Sequence, residues 1–405
     1  MATLHPFTAL RPPPELAAEV AAPPYDVIDS REARALAAGK PRSFLHVSRP
    51  EIDLPEGTDE HEAAVYARGT ENLRRAIAEG WLIRDPEPRL YVYSQVMGSH
   101  RQSGIVACAA VAEYDADAIK KHEKTRQDKE DDRTRHIDEL GAHDEPVFLT
   151  YRAQPRIDAL VAEIQAAAPA VDLVTDDGIG HTLWVASAPA TAALVAEFAA
   201  VSPLYVADGH HRSAAASRVH ARRRGQPGEH DRFLAVIFPH DQMQILPYNR
   251  VVRDLDGRTP EALLAALGER FDVTPARSAA PSGPRAFGAY LGHGRWFELR
   301  VRPGTYPAAD PVASLDASIC QDQLLGPIFG VTDPRRDRHV DFVGGIRGAR
   351  ELERRVDEGG FTLALHLHPT SIEQLMAVSD AGLLMPPKST WFEPKLRSGL
   401  FVHAF

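Results

Sequence analysis

The stretch LYVADGHHRSAAASRVHARRRG, residues 204–225, sets an Asp-Gly pair, two adjacent histidines and an arginine between an apolar strand end and an Ala-rich run. A helix start leaves its first backbone N–H groups without internal partners, and the helix dipole adds positive potential there. Gly209 admits a left-handed turn and lets a ligand approach the backbone of Asp208 and its neighbours. His210, His211 and Arg212 add donors, and Arg212 offers a planar fork that matches phosphate oxygens. Ser213 and the alanines after it let the helix pack closely on a sheet. Phosphate binding is the chemistry this order of residues predicts. A capped helix with its polar groups in water is the plainer alternative. Metal ligation is a third, but adjacent helical residues diverge by about 100°, so His210 and His211 do not aim at one ion, and the HxxxH spacing of helical zinc ligands is missing.

Two further segments carry candidate groups. KKHEKTRQDKEDDRTRH, residues 120–136, holds no apolar side chain. It reads as part of one polar helix over 119–140 that either stands in solvent or lines a polar site. In such a helix His122, Thr125, Lys129, Asp132 and His136 share a face. Glu123 suits a general base or a metal ligand, Lys121, Arg126 and Arg133 suit phosphate, and Asp132 is a candidate Mg²⁺ ligand. MPPKSTWFEPKLRSGL, near the C-terminus, places Lys388 and Lys395 beside prolines that fix the backbone. Lys388 is a candidate catalytic cation and Lys395 a phosphate contact. Ser389 and Thr390 supply hydroxyls for a substrate, and Tyr25 and Asp26, after Pro23 and Pro24, are further substrate candidates placed to reach a site.

The elements that must position these groups alternate without a strict βαβ rhythm, so an α+β or mixed α/β fold is expected. Strands are predicted at RLYVYSQV and QSGIVACAAVAEY, joined by MGSHR, and at EPVFLTYRA, HTLWVAS, PLYVAD, RFLAVIFP and MQILPYNRVVRDL. A Pro-, Ser-, Ala- and Gly-rich stretch over 275–287 suggests a joint. This divides the chain into 1–275, with the polar helix and the DGHHR turn, and 276–405, whose tail over 385–400 returns to the site.

With 405 residues the chain can bury a sizeable core. Forty-six Lys and Arg against 56 Asp and Glu give a formal charge of −10, which argues against bulk nucleic-acid binding. The two cysteines are isolated, so a zinc ribbon or disulfide framework is not expected. No apolar run is long enough for a membrane span, and a soluble cytoplasmic protein is expected. Neither GxxxxGK[ST] nor GxGxxG occurs.

Taken together, PPYDVI, KKHEKTRQDKEDDR, YVADGHHRSAAA and MPPKSTWFEPKLRSGL resemble, in the same order, the bacterial and archaeal family catalogued as domain of unknown function 1015. More remotely, DGHHRSAAA is similar to the turn-helix signature of the ParB/sulfiredoxin superfamily, which includes free-serine kinases. That resemblance implies a ParB/sulfiredoxin-like nucleotide-binding core with additional α/β elements, and ATP or ADP bound at 208–213. Sulfiredoxin's reactive cysteine position is occupied here by His210.

The expectation is a phosphotransferase that uses ATP, ADP or another nucleotide, with Mg²⁺, on a small hydroxylated metabolite, free serine being one candidate. Gly209 to Ser213 would cradle phosphates, with Glu123 or Asp208 taking the acceptor's proton. Alternatives are a nucleotide-binding switch of ParB type and a metal-dependent hydrolase built on His122, Glu123, His210 and His211. A homo-oligomer is compatible with either.

Overall fold

The protein is described by a computed structural model that covers residues 2–334 and 336–405. It divides into two compact units, Met1–Met243 with Pro394–Phe405, and Gln244–Glu393. The divisions therefore fall at 243/244 and 393/394 rather than at 275/276. The Pro-rich stretch expected to be a joint begins on the strand Phe271–Ala276, which is zipped to Trp296–Val301.

The first unit is built on a nine-stranded mixed sheet. Its middle is Arg232–Pro239, paired antiparallel with His100–Ala110 and parallel with Val147–Tyr151. RFLAVIFP has no polar alternation because nearly every residue in it is buried, as in strands covered on both faces. Successive side chains alternate faces. Ile105, Ala107, Val147, Leu149, Phe233, Ala235 and Ile237 thus share one core with Ile157, Val161 and Ile164 of helix Pro155–Gln165 and Leu194 and Phe198 of helix Ala188–Phe198. Full burial of such a side chain contributes about 1.5–3 kcal/mol. Tyr91–Met97 and His100–Ala110 form the expected hairpin, turning at Gly98 with φ 61°. The helix Val111–Asp115 replaces the last residues of the strand expected there.

The polar segment departs from expectation. Ile119–Lys120 is a short strand, paired parallel with Leu204–Tyr205, and the helix runs only over Gln127–Leu140. Residues 121–126 are irregular, so His122 and Thr125 do not share a helix face with Lys129, Asp132 and His136. The edge pairing satisfies backbone groups that a longer helix would have satisfied internally. The helix ends at Gly141, whose φ is 65°.

The second unit is a six-stranded antiparallel sheet in the order Phe271–Ala276, Trp296–Val301, Ala286–Tyr290, Leu363–Leu367, Tyr248–Val252, Val340–Gly344. One core holds Leu263, Phe271, Phe287, Leu299, Ile319 and Leu365, and a second holds Val251, Tyr290, Trp296, Leu352 and Phe361. MQILPYNRVV is not one strand. Pro247 has no N–H to donate, and the chain splits there into Gln244–Leu246, paired with Trp391–Glu393, and Tyr248–Val252 in the main sheet. Both units are thus mixed α/β, with helices packed on sheets.

Candidate active site

The strand Leu204–Asp208 ends in Gly209, φ 94° and ψ 28°, and the helix His210–Arg222 begins at the next residue. Two constraints demand glycine. The left-handed backbone disfavours a Cβ, and a Cβ there would stand 3.0 Å from Arg212 Nε. The guanidinium lies folded against the turn, not pointing to solvent.

Arg212 is 6% exposed. Its Nη1 donates to the Pro146 carbonyl, and Nη2 stands 3.6 Å from Asp26 Oδ2 and 4.0 Å from Asp208 Oδ1. It is an interior counter-ion for a group of carboxylates, a correction to the outward phosphate fork expected from the sequence. Ser213 also turns inward, its Oγ donating to the carbonyls of Gly209 and His210.

Asp208 faces the tail. Its Oδ1 accepts from the Gly209 N–H at 2.8 Å and its Oδ2 from Lys395 Nζ at 2.9 Å. Burial pushes the Asp208 carboxyl up, but the Lys395 ammonium and the Arg212 guanidinium outweigh it and hold the group well below the usual carboxylate range. Three features place Lys395. Its carbonyl accepts from Gln95 Nε2, Ala22 and Ser398 exchange backbone hydrogen bonds, and His403–Ala404 pairs with Ala142–His143. Gly399, φ 83°, lets the tail pass Phe44, whose Cβ would lie 2.6 Å from any added methyl group.

Glu145 was not singled out in the sequence. It is buried, and its Oε1 accepts from the Tyr25 N–H at 3.0 Å and from Ser398 Oγ at 2.7 Å. Burial pushes this carboxyl up to about 7, with Arg212 opposing the rise. The available signal was two consecutive acids, Asp144 and Glu145, at the mouth of an apolar strand. Asp144 is the partner of His136, Oδ2 to Nε2 at 2.9 Å.

The other expected groups sort into three places. Tyr25 is buried beneath the Arg133 guanidinium, which stands 4.0 Å from the ring centroid, while Asp26 is exposed beside Arg212. Arg133 bonds Asp132 at 2.9 Å, and Asp132 also accepts from Tyr66 at 2.8 Å and lies 3.3 Å from His61. Burial raises the Asp132 carboxyl, but Arg133 and these hydrogen bonds bring it down to about 2. Its oxygens serve a structural ion-pair network, so Asp132 does not fit a Mg²⁺ ligand. Lys121 bonds Asp117 at 2.6 Å and covers the Tyr114 ring, and Thr125 bonds Glu130. Arg126 pairs through its side chain with Asp128, while its N–H donates to His211 Nε2 at 3.1 Å. His122 and Glu123 lie with His210, one ligand-capable atom of each within 4.8 Å of the others.

Lys388, Ser389 and Thr390 belong to the second unit. The Lys388 carbonyl accepts from Arg250 Nη2 at 3.0 Å, and its ammonium sits 5.4 Å from the Tyr248 ring centroid. Ser389 Oγ donates to the Pro386 carbonyl at 2.7 Å.

No helix among the described residues is long and apolar enough to cross a membrane. No curated protein matches the sequence. Solved structures similar to it include a conserved hypothetical protein from Pyrococcus furiosus, 13% identical over 74% of this chain and 95% of that one, TM-score 0.36. A free serine kinase in complex with AMP is 14% identical over 71% of this chain and 86% of that one, TM-score 0.34. C-terminally truncated SbnI from Staphylococcus aureus is 11% identical over 74% and 87%, TM-score 0.38. Residues 4–318 match the family model described as protein of unknown function (DUF1015), and the chain belongs to that family.

Proposed function

We propose that the first unit is a nucleotide-dependent phosphotransferase for a small hydroxylated metabolite, free serine among the candidates. One observation carries the reading. Lys395 is brought from the far end of the sequence to 2.9 Å from Asp208, at the start of the helix that follows Gly209. An ammonium, a helix start and a set of carboxylates at one turn are the parts that phosphoryl transfer uses, because that reaction is mostly positioning and charge neutralisation. The similarity of the turn to the ParB/sulfiredoxin signature supports the same reading.

Lys395 and the first N–H groups of helix His210–Arg222 would meet the phosphates. Arg212 would act from behind the turn, by its potential and by fixing the carboxylates. In the transfer, the bond from the terminal phosphorus to the leaving nucleotide oxygen breaks and a bond to the metabolite oxygen forms. The hydroxyl proton passes to Asp208. A loose transition state asks little basicity of the acceptor, so a carboxylate held strongly ionised suffices. Carboxylates are plentiful here, so a polyphosphate would enter as its Mg²⁺ complex, neutralised in advance. Asp26, exposed beside the turn, offers an oxygen ligand of the kind Mg²⁺ prefers.

The test is incubation with ATP and with ADP, Mg²⁺ and a panel of hydroxylated amino acids and polyols, followed by ³¹P NMR. A phosphomonoester formed from one panel member, and lost in Asp208→Asn, is expected. Absence of any phosphorylated product across nucleotides and acceptors would overturn the proposal.

A further inference from the structure

The parallel pairing of Ile119 with Leu204 carries the loop after one strand alongside the turn after the other. This brings His122 and Glu123 to His210. The two rings meet edge to face, with centroids 4.4 Å apart. His122 is 1% exposed and His210 5%. The Val206 carbonyl contacts the His122 ring, yet neither ring nitrogen makes a hydrogen bond of normal geometry. With Val206 facing one side of the ring, the other nitrogen is left unsatisfied, which is unfavourable when buried unless a ligand meets it. Burial also keeps both imidazoles in the neutral form that ligates metals. It pushes His122 down to about 4 and, with His122 beside it, His210 well below its ordinary value. Glu123 is exposed, on the solvent side of this pair.

We propose that His122, Glu123 and His210 form a binding site for a divalent transition-metal ion of the zinc class. Two imidazole nitrogens and one carboxylate oxygen suit zinc, with at least one coordination position left for water or a substrate oxygen. Mg²⁺, which takes oxygen ligands, is a poor match for this set. Neighbouring ligand atoms around a tetrahedral zinc stand about 3.4 Å apart. The three ligand atoms lie within 4.8 Å of one another, so a metal ion would draw them together by about an ångström. His211 lies outside this set; its Nε2 accepts the Arg126 N–H at 3.1 Å, whereas the His122 N–H reaches His210 Nε2 only at the long distance of 3.5 Å. The Asp208 carboxylate adds negative potential at both rings. The site requires no nucleotide and stands or falls separately from the phosphotransferase reading.

The test uses the full-length protein stripped of metal and titrated with Co²⁺, read by its visible d–d absorption, with Zn²⁺ and Mg²⁺ as competitors. One Co²⁺ per chain, displaced by Zn²⁺ and not by Mg²⁺, is expected. Glu123→Gln and His122→Ala should each weaken binding at least tenfold. His220→Ala should not, because that ring pairs instead with His230 at 3.2 Å. Glu123 is at the surface, so its variant remains informative even if the buried His122→Ala does not fold. Absence of stoichiometric Co²⁺ binding, or a Glu123→Gln protein that binds like the wild type, would overturn the proposal.

Discussion

Lys395 Nζ lies 2.9 Å from Asp208 Oδ2, although 187 residues separate the two. The pair holds the Asp208 carboxyl well below its usual range, against the effect of burial. A carboxyl depressed on folding contributes stability above its unfolded value, near 3.9, and loses it as pH falls through the folded value. Both partners are mostly shielded, at 20% and 28% exposure. Lys395→Met should cost about 1–2 kcal/mol at neutral pH, and the difference from wild type should shrink below pH 4. Urea denaturation at pH 7 and at about pH 2, nearer the depressed folded value, measures both.

Arg212 reads from the sequence as an outward fork, yet it is the counter-ion of Asp26, Asp208 and Glu145. Removing one member of a buried charge network leaves the others uncompensated. Arg212→Ala should therefore destabilise the first unit by about 3–5 kcal/mol. A variant with wild-type stability that has merely lost nucleotide affinity would restore the outward assignment.

Glu145 has the opposite linkage. Its folded value is pushed up to about 7 by burial, above the unfolded range. The unfolded chain thus releases this proton first as pH rises. Stability from the site is present below about 4.3 and declines up to about 7. Glu145→Gln should remove this decline, so the variant should gain on wild type between pH 5 and pH 8 by on the order of 1–3 kcal/mol. A difference constant with pH would contradict the assignment.

Locally encoded features were legible in the sequence. Leu204–Asp208, Gly209 and the helix after it follow from an apolar run, a glycine and alanines in order. The helix Gln127–Leu140 was legible as polar, but its start was not. Ile119–Lys120 is a strand only because Leu204–Tyr205 lies beside it, and no local propensity reports that neighbour. The direction of Arg212 was hidden for the same reason: the partners that turn it inward, Asp26, Glu145 and the Pro146 carbonyl, are distant in sequence. Lys388 and Lys395 looked alike as lysines beside prolines, yet the boundary at 393/394 separates them, and Lys395 alone belongs to the unit that holds the turn.

The central claim is that this turn binds nucleotide phosphates with the help of Lys395. Calorimetric titration of Mg²⁺–ADP into wild type and Lys395→Met tests it most directly. Saturable one-to-one binding to the wild type is predicted, weakened at least tenfold, about 1.4 kcal/mol, in the variant. No binding to the wild type, or equal affinity in the two proteins, would contradict the account.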